Sequence, residues 1–211
     1  YILYSDGPII TTENTYMTFL ETFKTIINQL VTSKEVSYKS SAIKKSLEEY
    51  HKYKKTERLR DDFMIVVDMT KPSYEERLLV VDLKTKEIVS DHHVAHGRRT
   101  SCWKDRSKAC YFSNVSNSHK SSSGAMKTLS VYKWGKKFPT PSKLKLKGLE
   151  DKNSNVFNRA IVMHSASYVS NSYIKRKGRL GESWGCLAVD PAISEKLIHK
   201  VKNGCFIYVY K

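Results

Sequence analysis

No stretch of about 18 consecutive apolar residues occurs in this 211-residue chain, so no segment has the makings of a membrane-spanning helix. The four cysteines include no C-x-x-C pair, and His92, His93 and His96 have no partners at a ligand spacing, so neither a metal nor a cofactor is expected. Acidic residues are in short supply, 21 against 37 lysines and arginines, for a formal charge of +16. Such a surplus fits a polyanionic partner: nucleic acid, an anionic membrane face or an acidic wall polymer. A zinc-finger spacing, an RNA-recognition aromatic motif and a compact basic helix are all missing, which argues against nucleic acid. The chain begins at Tyr1 rather than Met, as expected of a trimmed or mature form whose targeting segment is gone.

What is present reads as a folded domain with an appendage. Hydrophobic residues make up 40% of the chain, enough for a packed core. Apolar residues recur at spacings of three and four from Tyr16 to Val31, an amphipathic helix. Ser40 or Ser41 can cap a second helix through Ala42, Ile43, Leu47 and Tyr50. Residues 1–60 therefore form a helical hairpin that braces the rest of the chain. From Phe63 the pattern shifts to short strands: 63–68 and 77–83 as a hairpin, then 87–89, 93–95, 127–133, 144–146, 160–163, 186–189 and 206–210, with helix only at 191–201. Lys143, Lys145 and Lys147 alternate with Leu144 and Leu146, a half-buried strand with its lysines outward. The fold class is mainly β with α, a β-sandwich or barrel over residues 61–211.

Chemistry concentrates at Gly181-Glu182-Ser183-Trp184-Gly185-Cys186, with His164 upstream at the end of the apolar run Ala160-Ile161-Val162-Met163. A thiol with an ordinary pKa of about 8.5 is mostly protonated at neutral pH and needs a base or cation nearby to act as a nucleophile. Gly185 lets the backbone turn sharply and aim successive N–H groups at one point, as an oxyanion requires. The plain alternative is a buried cysteine beside an unrelated histidine. Cys102 and Cys110 bracket a polar run and could close a small disulfide loop in an oxidising compartment, and Cys205 reads as an inert core thiol.

These motifs, with Lys71-Pro72-Ser73, Val94-Ala95-His96-Gly97-Arg98, Ser121-Ser122-Ser123-Gly124 and Arg159 to His164, occur in an order that resembles the murein L,D-transpeptidase catalytic domain. The resemblance covers Phe63 to the C-terminus, in the branch with a Ser-Trp-Gly-Cys signature. It implies a YkuD-like fold and an exported, periplasmic or wall-associated bacterial enzyme acting on peptidoglycan stem peptides through a thioester. It further implies Cys186 as nucleophile, His164 as base, the Ser165 carbonyl as orienter of the imidazole, and backbone N–H groups of Trp184, Gly185 and Cys186 as the oxyanion hole. Ser183, Arg179, Tyr168, His119 and His96 are the expected substrate contacts.

Three positions depart from the family pattern. Trp184 and Ala188 stand where most members have His and a polar residue, and Glu182 stands where a basic residue is expected. On this reading Trp184 could instead wall the thiol from water. The acceptor is open: an amine gives transpeptidation, water gives carboxypeptidase or endopeptidase activity. A non-catalytic wall-binding protein and a papain-like hydrolase are the other readings, the latter disfavoured because Cys186 follows the histidine near the chain's end.

Overall fold

The computed structural model describes residues 41–133 and 141–211, so the helix expected over 16–31 lies outside the described residues. In chain order the elements are α1 (Ser41–Lys54), β1 (Phe63–Asp68), β2 (Leu78–Asp82), β3 (Ile88–His92), β4 (Val94–Ala95), β5 (Gly124–Lys133), β6 (Ser142–Gly148), a 3-10 turn (Asp151–Asn153), β7 (Val162–Ser165), α2 (Asn171–Lys177), β8 (Leu187–Val189), α3 (Pro191–Val201) and β9 (Phe206–Tyr210).

β1 and β9 pair in parallel, and both read as unbroken apolar runs because both of their faces are covered. Ile65, Val67, Ile207 and Val209 enter the main core, where Leu197, Ile198 and Val201 of α3 join them. Met64, Val66 and Phe206 alternate with those residues and are also fully buried. On that second face Tyr50 of α1 sets its ring edge-on to Phe206 at 5.8 Å. The Tyr50 hydroxyl donates to the Arg60 carbonyl at 3.1 Å. Each such apolar side chain removed from water contributes roughly 1.5–3 kcal/mol before the entropic cost of ordering it. The compact unit that holds the sheet runs Ser40–Lys211 and takes in α1.

Among the described residues nine strands form one continuous sheet in the order β3-β2-β1-β9-β5-β6-β7-β8-β4. The outermost strands, β3 and β4, are separated in sequence by His93 alone, so the sheet must curl until its two ends nearly meet. Of the two β architectures expected, it is therefore the barrel-like one that forms. Arg77 spans the seam: its Nε and Nη2 donate to the Val94 carbonyl at 3.0 and 2.8 Å, and Nη1 donates to the Lys71 carbonyl at 2.9 Å. Full burial pulls this guanidinium down to about 9, so it stays charged at neutral pH.

Three local differences from the expected pattern bear on the site. β7 starts at Val162 rather than Ala160, because Ala160 adopts a left-handed backbone (φ 53) that turns the chain into the strand. β8 starts at Leu187, which leaves Cys186 on the approach turn. α2 lies where only loop was expected. It buries no residue, so it has no apolar stripe to read; Ser170, accepting from the Tyr173 N–H, and Gly178 at φ 69 mark its ends.

Candidate active site

Register fixes the face on which the chemistry sits. Met163 pairs with Leu187 and His164 with Ala188 across the parallel β7–β8 ladder. Met163 and Leu187 enter the main core, so period-two alternation sends His164 and Ala188 to the other face. On β6, Lys143 stands directly opposite His164, and on β5 Tyr132 stands opposite Lys143. Cys186 precedes Leu187, on the turn that feeds this face.

His164 is half-buried, and its Nδ1–H donates to the Ser165 carbonyl at 2.8 Å. A carbonyl can only accept, so the proton sits on Nδ1 and Nε2 keeps its lone pair. Burial holds the imidazole below its ordinary pKa; the Ser165 bond opposes that shift and Lys143 adds to it. The ring is neutral at pH 7. Cys186 is held above the ordinary thiol range, chiefly by burial, against which the Val162 N–H, Lys143 and Arg159 favour the thiolate. The resting thiol donates to the Ala160 carbonyl at 3.8 Å. Neutral thiol and neutral imidazole call for general-base activation at the moment of attack rather than a standing ion pair.

The turn itself is held from three sides. Ser183 Oγ accepts the Gly185 N–H at 3.1 Å and donates to the Cys186 carbonyl at 2.7 Å. The Ser183 backbone joins the segment after β4: its N–H donates to the His96 carbonyl at 3.0 Å, and its carbonyl accepts from the Arg98 N–H at 2.8 Å. Gly185 has φ 117, and a Cβ there would stand 2.8 Å from the Lys120 carbonyl oxygen and 2.9 Å from Ile161 Cδ1. Gly97 is equally constrained, since a Cβ would meet the Gly185 backbone at 2.9 Å. Only glycines allow these two segments to approach so closely.

Several expected contacts have other roles. His96 does not line a groove. It is 1% exposed, with Nδ1 accepting from Arg77 Nη2 at 2.7 Å and Nε2–H donating to Ser101 Oγ at 3.0 Å. Burial first, then the charges of Arg77, Arg179 and Arg106, pushes it down to about 3. The chain of bonds continues from the Ser101 hydroxyl to Glu182, which also pairs with Arg106. Arg179 donates back to the Leu180 carbonyl at 2.9 Å and lies 3.8 Å from Glu182, so it serves its own segment. Ser183 is 5% exposed and spends its hydroxyl on the turn. The Gly185 N–H, expected in an oxyanion hole, is already taken up by that hydroxyl.

His119 and Trp184 stack at 4.7 Å with planes 16° apart. Trp184 is 71% exposed, so it forms an outer flank rather than a wall between the thiol and water. Tyr168 packs against Gly181, where a Cβ would meet its own Cβ at 2.5 Å. Burial, with the Cys186 charge adding to it, pushes the Tyr168 hydroxyl up to about 12.

Arg159 carries a role not assigned from sequence. Its Nη1 donates to the Ser113 carbonyl at 2.6 Å and Ser122 Oγ at 2.8 Å, and its Nη2 to Ser118 Oγ at 3.1 Å and the Lys120 carbonyl at 2.6 Å. It thereby fixes the loop that presses on Gly185. Its place next to Ala160, whose carbonyl accepts from the thiol, was the available signal. Lys143 was read only as an outward lysine; its register against His164 depends on strand pairing that sequence does not show.

Cys102 and Cys110 form a disulfide with Cα atoms 5.0 Å apart. Cys205 is fully buried and pushed up to about 12, an inert thiol. Among the described residues, no group of three or more His, Cys, Asp or Glu side chains is arranged to hold a metal ion, and no helix is long and apolar enough to cross a membrane.

A family model described as the L,D-transpeptidase catalytic domain, YkuD_2, matches residues 34–210. No curated protein matches the chain. Among solved structures, an L,D-transpeptidase from Mycobacterium smegmatis is 14% identical at a TM-score of 0.42, covering 71% of this chain and 59% of that one. The LD transpeptidase LdtMt1 in complex with imipenem gives 14% and 0.41 over the same shares. The Ldtfm-avibactam carbamoyl enzyme gives 12% and 0.37, over 72% of this chain and 50% of its own. The chain thus spans less than two thirds of the length of these structures.

Proposed function

Starting from the fact that the chain belongs to the L,D-transpeptidase catalytic domain family, we propose that it transfers acyl groups of peptidoglycan stem peptides through a thioester on Cys186. The observation that carries this reading is the His164 tautomer: with Nδ1–H bound to the Ser165 carbonyl, Nε2 is a neutral base on the face fed by the Cys186 turn.

In the proposed reaction His164 Nε2 takes the Cys186 proton as sulfur attacks the carbonyl of the third stem residue. The tetrahedral oxyanion is received by the Cys186 and Trp184 N–H groups, since the Gly185 N–H is committed to Ser183. As the C–N bond breaks, the proton on His164 passes to the departing amine of the terminal D-alanine. An amine of a second stem then attacks the thioester with His164 again as base, which restores the thiol and completes a transpeptidation. The Val162 N–H and the charges of Lys143 and Arg159 favour the thiolate that forms in passing. The Cys102–Cys110 disulfide fits an exported protein in an oxidising compartment.

Purified protein incubated with tetrapeptide stems should release D-alanine and, with an acceptor stem present, form a crosslinked dimer by mass spectrometry. Cys186→Ala should do neither. D-Alanine release that persists in Cys186→Ala contradicts the proposal.

A further inference from the structure

The loops after β4 enclose an open cavity of about 650 Å³. Its walls carry Arg98, Arg99, Arg106 and Lys120 together with Trp103 and Tyr111, and among the described residues no carboxylate lines it. Of these four cations Glu182 pairs with Arg106. Among the described residues neither Arg98 nor Arg99 forms an ion pair. Trp103 is 91% exposed, the most exposed of the large hydrophobic side chains among the described residues, and Tyr111 is 43% exposed.

An indole so exposed gains nothing for the fold, and cations gathered on one cavity wall repel one another. Both features become favourable when one ligand brings a flat, weakly polar ring and an oxyanion together. The cavity is also built rather than incidental. The disulfide between Cys102 and Cys110 closes the loop that bears Trp103 and Arg106. The Cys102 N–H donates to the Lys108 carbonyl at 3.0 Å across that loop. Lys120 Nζ lies 5.6 Å over the Tyr111 ring. The Arg98 N–H holds the Ser183 carbonyl at 2.8 Å, which joins the cavity wall to the turn that carries the thiol.

We infer that this cavity binds a segment of an anionic saccharide polymer, a sugar ring against Trp103 and its carboxylate or phosphate between Arg98, Arg99 and Lys120. The inference rests on the acyl-transfer reading for its purpose: a polymer held here brings its attached peptides to the neighbouring thiol. It extends that reading by assigning the surplus of positive charge a location and a ligand.

The test uses the Cys186→Ala protein, so that affinity is read without turnover, by isothermal titration and tryptophan fluorescence. The probes are a galacturonate tetramer, mannopentaose phosphate, a neutral N-acetylglucosamine tetramer and inorganic phosphate. Either anionic saccharide should bind, and the tighter of the two identifies the anion as carboxylate or phosphate. Arg98→Glu with Arg99→Glu should weaken that binding by about tenfold or more and flatten its salt dependence. Trp103→Ala should weaken the anionic saccharide several-fold while leaving inorganic phosphate unchanged. All three side chains are exposed, and an unchanged melting temperature confirms that each variant folds. Equal affinity for the neutral tetramer, or a charge reversal that moves affinity less than twofold, overturns the inference. D-Alanine release by the unmodified protein is scored separately, so the failure of acyl transfer and the failure of this site are told apart.

Discussion

His164 and His96 stand on either side of β8, one on β7 and the other just after β4, and they differ in how their ring nitrogens are engaged. Burial depresses both. His96 has both nitrogens engaged, by Arg77 and Ser101, and can neither give nor take a proton without breaking a buried bond. His164 has one nitrogen fixed by a backbone carbonyl and the other at liberty. On the proposed mechanism the tautomer held from one side serves as the base, and the ring held from both sides serves as a strut.

The largest expected effect comes from removing the base. His164→Gln should lower D-alanine release by about 10²–10⁴-fold, with a far smaller loss in His96→Gln; comparable losses would dissolve the contrast. Acidity probes the same point. Because burial holds His164 below its ordinary 6.5, the rate should fall on acidification as the ring protonates, at a lower pH than an ordinary imidazole would impose.

Next comes the turn between the two histidines. Gly185→Ala drives a Cβ into the Lys120 carbonyl from a left-handed backbone. It should cost about 1–3 kcal/mol of stability by chemical denaturation, with activity lost beyond what that destabilisation explains. Wild-type behaviour would mean that the turn is looser than its contacts indicate.

The remaining effect belongs to His96 and appears in the acid dependence of stability. Its folded value of about 3 lies below the unfolded 6.5, so between those limits the unfolded chain binds a proton that the folded one refuses. The stability it contributes is whole above pH 6.5 and drains as pH falls, at up to ~1.4 kcal/mol per pH unit. His96→Gln should flatten this acid dependence in urea titrations run from pH 7 to 4. An unchanged slope would place the His96 proton balance elsewhere.

Much of this was legible in the sequence, for identifiable reasons. β1 and β9 announce themselves as apolar runs because both their faces are covered, and Leu144 and Leu146 alternate with lysines because β6 is covered on one face only. The turn before Cys186 and the strand that carries His164 were legible because a glycine next to a thiol and a histidine on an apolar run are local patterns. His96 was misjudged because Val-Ala-His-Gly reads alike whether the ring meets solvent or a buried guanidinium; Arg77, which decides it, enters through the closure of the sheet. The tasks of Lys143 and Arg159 also depend on pairing between distant segments. Ser183 and Arg179 were expected as substrate contacts, and in the structure each bonds backbone groups of its own turn, a demand that appears only once the turn has a shape.

The central claim is that the Cys186 thiol is acylated with His164 as its base, and trapping the acyl-enzyme tests it most directly. The protein is mixed briefly with a tetrapeptide donor, quenched in acid and mapped by peptide mass spectrometry. The account predicts a thioester on Cys186 that has lost the terminal D-alanine, formed far more slowly in His164→Gln. An adduct on any other residue, or one that forms on Cys186 at the wild-type rate without His164, would contradict it.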